Sequence, residues 1–137
     1  MEWSWKKILI TLGTFVGIIV LPIYLCSNGM MDYYQKRIDR DPNTNFSKWL
    51  QLKSADVCYN TMRPERSVDY YRRFLDRYSS DEHRPHAKFR LALSLEGAGR
   101  NADAIRAFEE FNTEYPSHPN KVEAEKAIDR IKYVKPK

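Results

Sequence analysis

Between Ile8 and Cys26 the chain reads ILITLGTFVGIIVLPIYLC, without one charged side chain. At the helical rise these residues span roughly 28 Å, close to the thickness of a bilayer's hydrocarbon core. The chain as a whole has a low mean hydropathy of -0.66, so what lies outside this block is markedly polar. An apolar anchor carrying a solvated head is the expected organisation, and 137 residues leave room for one compact domain beside it.

The flanks of the block suit a membrane span. Trp3 and Trp5 on one side and Tyr24, Tyr33 and Tyr34 on the other have amphipathic rings that fit the two headgroup zones. Lys6 and Lys7 before an apolar run also open a cleavable signal, but the run is too long for one and lacks a closing pattern of small residues. A lipoprotein signal would need a small residue before Cys26, where Leu25 stands. Gly13 and Gly17 form GxxxG, which leaves a flat strip where a second membrane helix can approach closely. Lys6 and Lys7 favour a cytoplasmic N-terminus and an exported head, although Lys36, Arg37 and Arg40 form a rival basic cluster.

The expected division is a short tail over 1–7, a transmembrane helix over 8–26, a juxtamembrane connector over 27–45, a helical domain over 46–134 and a tail over 135–137. The connector carries Gly29 and Pro42 around a possible short helix from Met30 to Arg40. Its aromatic and apolar residues predict that part of it rests on the membrane or on a partner. Beyond it, apolar residues recur at helical spacing, as at Leu91, Leu95 and Ala98, and no alternating strand-like run occurs. Breaks at Met62–Pro64, Ser79–Pro85, Ala98–Asn101 and Pro116–Asn120 mark off about five helices.

Shifted against itself by about 37 residues, the head matches helix to helix and turn to turn. Tyr71 meets Phe108, Phe74 meets Phe111, Tyr78 meets Tyr115, Ala55 meets Ala92, Ala87 meets Ala124 and Pro64 meets Asn101. The segment ALSLEGAGRNADAIRAFEEFNTEYP resembles a tetratricopeptide repeat. That resemblance puts Leu91, Ala92 and Leu95 at the packing positions of a first helix, Ala104, Phe108 and Phe111 at those of a second, and Pro116 at the closing proline. It covers residues 46–134 as about two and a half repeats. The first repeat departs by having Ser67 where Ala104 stands in the second, and Ser79 where the closing proline is expected. FEEFNTEYPSHP is similar to bacterial envelope repeats, such as those of outer-membrane-assembly lipoproteins and cell-division coordinators. The resemblance implies an envelope scaffold and brings no catalytic residue with it. Stacking each helix pair on the next buries a face too small to be stable alone, and Asn120–Val134 serves as the end cap, with Val122, Ala127, Ile128 and Ile131 expected to face inward.

Chemistry-bearing patterns are sparse. Cys26 and Cys58 lie in no metal-ligand spacing, and Cys58 falls on an apolar helix face. His83 and His86 flank Arg84 and Pro85 in a turn, where surface histidines are expected, and His118 has no evident partner. No phosphate loop, nucleophile elbow or zinc-helix motif is present. The formal charge is +5, but basic and acidic residues interleave, which speaks against nucleic acid as a partner. No cofactor, metal or catalytic residue is expected. The exposed aromatic candidates for holding a protein partner are Trp49, Tyr59, Tyr70 and Tyr133.

The sequence therefore predicts an all-α chain: a single N-terminal transmembrane helix, then a tetratricopeptide-like domain, in a bacterial inner membrane with the head periplasmic. Its expected role is an accessory or scaffold subunit of a multi-subunit membrane complex, for instance a respiratory or photosynthetic one. The span would meet integral membrane subunits and lipid, and the head a protein partner. The alternative is a membrane-tethered chaperone or targeting receptor that holds client polypeptides.

Overall fold

Seven helices follow one another in the computed structural model, which describes residues 5–25 and 27–133. Trp3 and Cys26, and the side chains of Pro22, Ile23 and Leu25, lie outside the described residues. The helices are α1 (Trp5–Leu25), α2 (Asn28–Arg40), α3 (Asn45–Asn60), α4 (Pro64–Arg77), α5 (Arg84–Gly97), α6 (Asn101–Glu114) and α7 (Lys121–Tyr133).

The helix α1 is 21 residues long and projects from the rest. Leu9, Ile10, Leu12, Phe15, Ile18 and Leu21 are each more than half exposed. Its two threonines return their hydroxyls to the helix: Thr11 Oγ1 donates to Lys7 O and Thr14 Oγ1 to Thr11 O, both at 2.9 Å. Among the described residues, which stop short of three side chains near its end, no helix is long and apolar enough to cross a membrane. A span over 8–26 thus does not follow from the fold alone.

The other six helices form an antiparallel array in which each packs on the next. Local signals set their ends. Ser27 caps α2 by accepting from Met30 N, and Thr44 caps α3 by accepting from Ser47 N at 3.0 Å. Pro64 and Pro85 sit in the first turns of α4 and α5, where a missing N–H costs nothing. The α3–α4 turn has Met62 at φ 56° and the α5–α6 turn has Gly99 at φ 73°. These two residues stand at the same place in the repeat, and both reversals close alike: Arg63 N donates to Cys58 O and Arg100 N to Leu95 O, each at 2.9 Å.

Two apolar clusters hold the array. The first joins α2 to α5 around Tyr71 and Phe74; the second joins α4 to α7 around Phe108 and Phe111; Leu91 packs against both. The paired positions of the repeat share burial, with Tyr71, Phe108, Phe111, Ala55, Ala92, Ala87 and Ala124 at 0% exposure. Ser67, at the position of Ala104, is equally buried and satisfies its hydroxyl by donating to Pro64 O at 2.8 Å.

Three expectations need correction. Residues 28–40 belong to the array and not to a separate connector: α2 packs on α3, with Met31 and Ile38 buried at 1% and 0%. Tyr34, expected as a headgroup anchor, is half-buried against the first cluster and helps to seat α2, while Tyr33 is 60% exposed. Val122 is 57% exposed; α7 turns Ala124 and Ala127 inward instead, with Ile128 and Ile131 half-buried beside them.

Candidate functional site

The first helices of successive pairs, α3, α5 and α7, form one continuous face. Asp56 of α3 projects there between its neighbours. Its Oδ1 accepts from Tyr71 OH at 2.6 Å and lies 3.0 Å from His86 Nε2, which donates when it carries the proton. Lys53 Nζ stands 3.4 Å from Oδ2. Burial alone would raise the Asp56 pKa, but the hydrogen bonds from His86 and Tyr71 and the nearby cations outweigh it and hold the carboxyl below its ordinary value of 3.8. Burial and the Asp56 carboxylate together push the Tyr71 hydroxyl far above the usual range of a phenol. Both groups therefore stay in one protonation state near neutrality. The cluster ties α3, α4 and α5 together, with Tyr71 and His86 meeting at one carboxylate oxygen.

Further along this face the Arg90 guanidinium lies over the Tyr59 ring at 4.6 Å. Arg130 of α7 makes a two-pronged pair with Glu96 of α5, at 2.8 and 2.7 Å. Beside them a cleft of about 510 Å³ opens between the end of α3 and α5, lined by Tyr59, Met62, Pro64, Leu93 and Gly97 among others. A second apolar cleft, of about 360 Å³, lies between α2 and α3. Phe46 and Trp49 rim it, stacked at 5.9 Å between ring centres and each 55% exposed. Exposed stacked aromatics beside an apolar cleft are the arrangement in which interface anchors occur.

Of the aromatic candidates for a partner, Trp49 is therefore exposed and stacked, Tyr59 is half-buried under Arg90, and Tyr133 is 82% exposed. Tyr70 is a correction: it is 6% exposed and donates its hydroxyl to Met31 O at 2.9 Å, fastening α2 to α4. Burial pushes its pKa up to about 12. Ala92, Leu95, Ala104, Phe108 and Phe111 are buried in the second cluster, Leu91 is half-buried, and Pro116 lies exposed in the α6–α7 turn. A side chain added at Gly13 or Gly17 would meet nothing within 4 Å, so this strip of α1 is open toward a neighbour. Trp5 is 79% and Tyr24 59% exposed.

Sequence reasoning missed Phe46, whose pairing with Trp49 at i, i+3 on α3 was the available signal. His86 keeps a surface-exposed side chain at the start of α5, as expected there, but it also reaches Asp56, a contact the sequence did not show. His83 bonds instead to Asp81 within its own turn, at 3.0 Å. Among the described residues no group of three or more side chains that could hold a metal ion occurs.

Residues 86–118 match the tetratricopeptide repeat family. The match takes in α5 from its third residue, all of α6 and the turn that follows. No curated protein matches the chain. With six helices packed in succession, the similarity supports a tetratricopeptide-like array whose role is to bind protein.

Proposed function

We propose that the chain is a membrane-anchored accessory or scaffold subunit of a multi-subunit membrane complex, holding a protein partner with its helical array. The observation that carries this reading is α1: a 21-residue helix whose apolar side chains stay exposed around its circumference. In water so large an uncovered apolar surface is strongly unfavourable; in a bilayer it is the required one. The open strip at Gly13 and Gly17 supports packing on a partner's membrane helix. The Phe46–Trp49 pair supports a protein contact at the outer edge of the array. Tetratricopeptide arrays are generally scaffolds without catalysis, in keeping with Asp56 being used as a helix tie. The resemblance of FEEFNTEYPSHP to bacterial envelope repeats supports an inner-membrane location.

Purification of the tagged full-length protein in mild detergent tests this. A stoichiometric integral membrane partner is expected, lost in Gly13→Leu/Gly17→Leu and weakened in Trp49→Ala. Recovery as a lone monomer would overturn the reading. The open cleft at Tyr59 and Leu93 favours the second reading, a tethered receptor for client polypeptides. In that case crosslinking captures many substoichiometric clients instead of one stable partner.

A further inference from the structure

One end of the array begins where α1 stops. Ser27 N donates to Tyr24 O at 2.9 Å, so the chain passes from α1 into α2 within about one turn. Asn28, the first residue of α2, accepts through Oδ1 from Arg63 Nη1 at 3.1 Å, which brings the α3–α4 turn alongside. Pro64 in turn lies 3.5 Å from where a side chain on Gly97 would begin, and Arg100 lies 4.0 Å from Glu65. The start of α2 and the two turns at 61–64 and 98–101 thus form one surface. Tyr133 belongs to it as well, because α7 runs beside α5 with Arg130 on Glu96 and ends there.

We propose that this end of the array lies on the lipid surface, with Met62 inserted at the boundary between headgroups and acyl chains. The proposal rests on reading α1 as a membrane anchor. Met62 is 86% exposed and stands at the tip of its turn with φ 56°, a conformation that disfavours any side chain and that the second repeat gives to Gly99. The side chain is thus held outward, against the local preference, on the end nearest α1. Tyr133, 82% exposed, offers an amphipathic ring to the headgroup zone.

Several charged side chains at this end are engaged within the protein. Arg66 pairs with Asp32 at 3.1 Å, Arg100 with Asp103 at 2.8 Å, and Arg63 bonds to Asn28 and to Thr61. The contact proposed rests on apolar insertion more than on attraction to anionic lipid, so high salt leaves it in place. The opposite end carries Asp81, Glu82 and His83 and faces away from α1.

The test uses the full-length chain with Cys26→Ser, in vesicles of phosphatidylethanolamine and phosphatidylglycerol. A spin label is placed at Met62→Cys, Glu82→Cys or Tyr24→Cys, one at a time; Cys58 is buried and stays unlabelled in the folded protein. Collision rates with oxygen, which concentrates in lipid, are compared with those of a water-soluble nickel chelate. The expected result is a higher oxygen-to-nickel ratio at 62 than at 82, unchanged by high salt. Equal, water-like ratios at 62 and 82 with a lipid-like ratio at 24 overturn the proposal and leave the anchor standing. A water-like ratio at 24 as well removes the anchor, and the proposal with it.

Discussion

Met62 and Gly99 occupy one position of the repeat, and the difference between them isolates a backbone effect. A side chain at Gly99 would meet nothing within 4 Å, so Gly99→Ala is strained only by its φ of 73°. It should cost about 1 kcal/mol in chemical unfolding of the protein in detergent. Met62→Gly should act in the opposite sense. It relieves about 1–2 kcal/mol of left-handed strain and gives back roughly 0.5–1 kcal/mol through the freer unfolded chain, for a net gain of up to about 1.5 kcal/mol. A loss of stability in Met62→Gly would mean that the Met62 side chain has a packing role its exposure does not indicate. Asp56 gives a second residue-level expectation. Asp56→Ala withdraws the acceptor from Tyr71 and His86 and should cost about 1–3 kcal/mol. Because the folded carboxyl titrates below 3.8, its contribution is complete above the unfolded pKa of ~3.9 and is lost as pH falls through the lower, folded value. The gap between wild type and Asp56→Asn in urea unfolding should therefore narrow as pH drops below about 4. A gap that widens there would show the wrong sign for the cluster.

At the level of helices, the repeat register was legible because bulky and small residues recur together. Tyr71 with Phe108 and Ala55 with Ala92 are pairs that only one shift satisfies, and all four residues are buried. The helix α2 was legible as a helix from Met30 to Arg40, but its place in the array was not, for a physical reason. Its inward apolar residues are only Met31, Tyr34 and Ile38, and the helices there also bury polar side chains, Gln35, Gln51 and Ser54. One more step back in the same register would have reached it, since Met31 and Tyr34 precede Val68 and Tyr71 as those precede Ile105 and Phe108. The interaction surface was only half legible: a stacked pair and a cleft depend on which faces the packing leaves open. Ala104 and Glu109 test the register directly. Ala104 is fully buried, so Ala104→Glu places a charge between helices and should cost more than about 3 kcal/mol or abolish folding. Glu109 is exposed and has only a surface pair with Lys132 at 3.6 Å. Its replacement by alanine should change stability by about 0.5 kcal/mol or less. Equal effects on melting would place α6 in a different register.

For the whole molecule, the proposed anchor makes the side of the membrane on which the array lies a testable matter. The proposal is an N-terminus in the cytoplasm and a periplasmic array, because Lys6 and Lys7 stand at the start of α1 and basic residues are retained on the cytoplasmic side. The rival cluster of Lys36, Arg37 and Arg40 follows the apolar stretch within about 15 residues, close enough to count in the same rule. The fold changes its weight: these residues belong to α2, a helix built into the array, and Arg37 pairs with Asp41 at 3.0 Å. Charges fixed in a folding domain are less like the free flanks on which the rule was framed, although insertion precedes folding and they are bare at that moment. Protease added to spheroplasts should leave a protected fragment that contains α1, cut between it and the array, since α2 is part of the array. Cleavage there, or inside the array, without membrane permeabilisation supports a periplasmic head. An array that survives until detergent is added reverses the topology, and with it the lipid leaflet that the Met62 turn would meet.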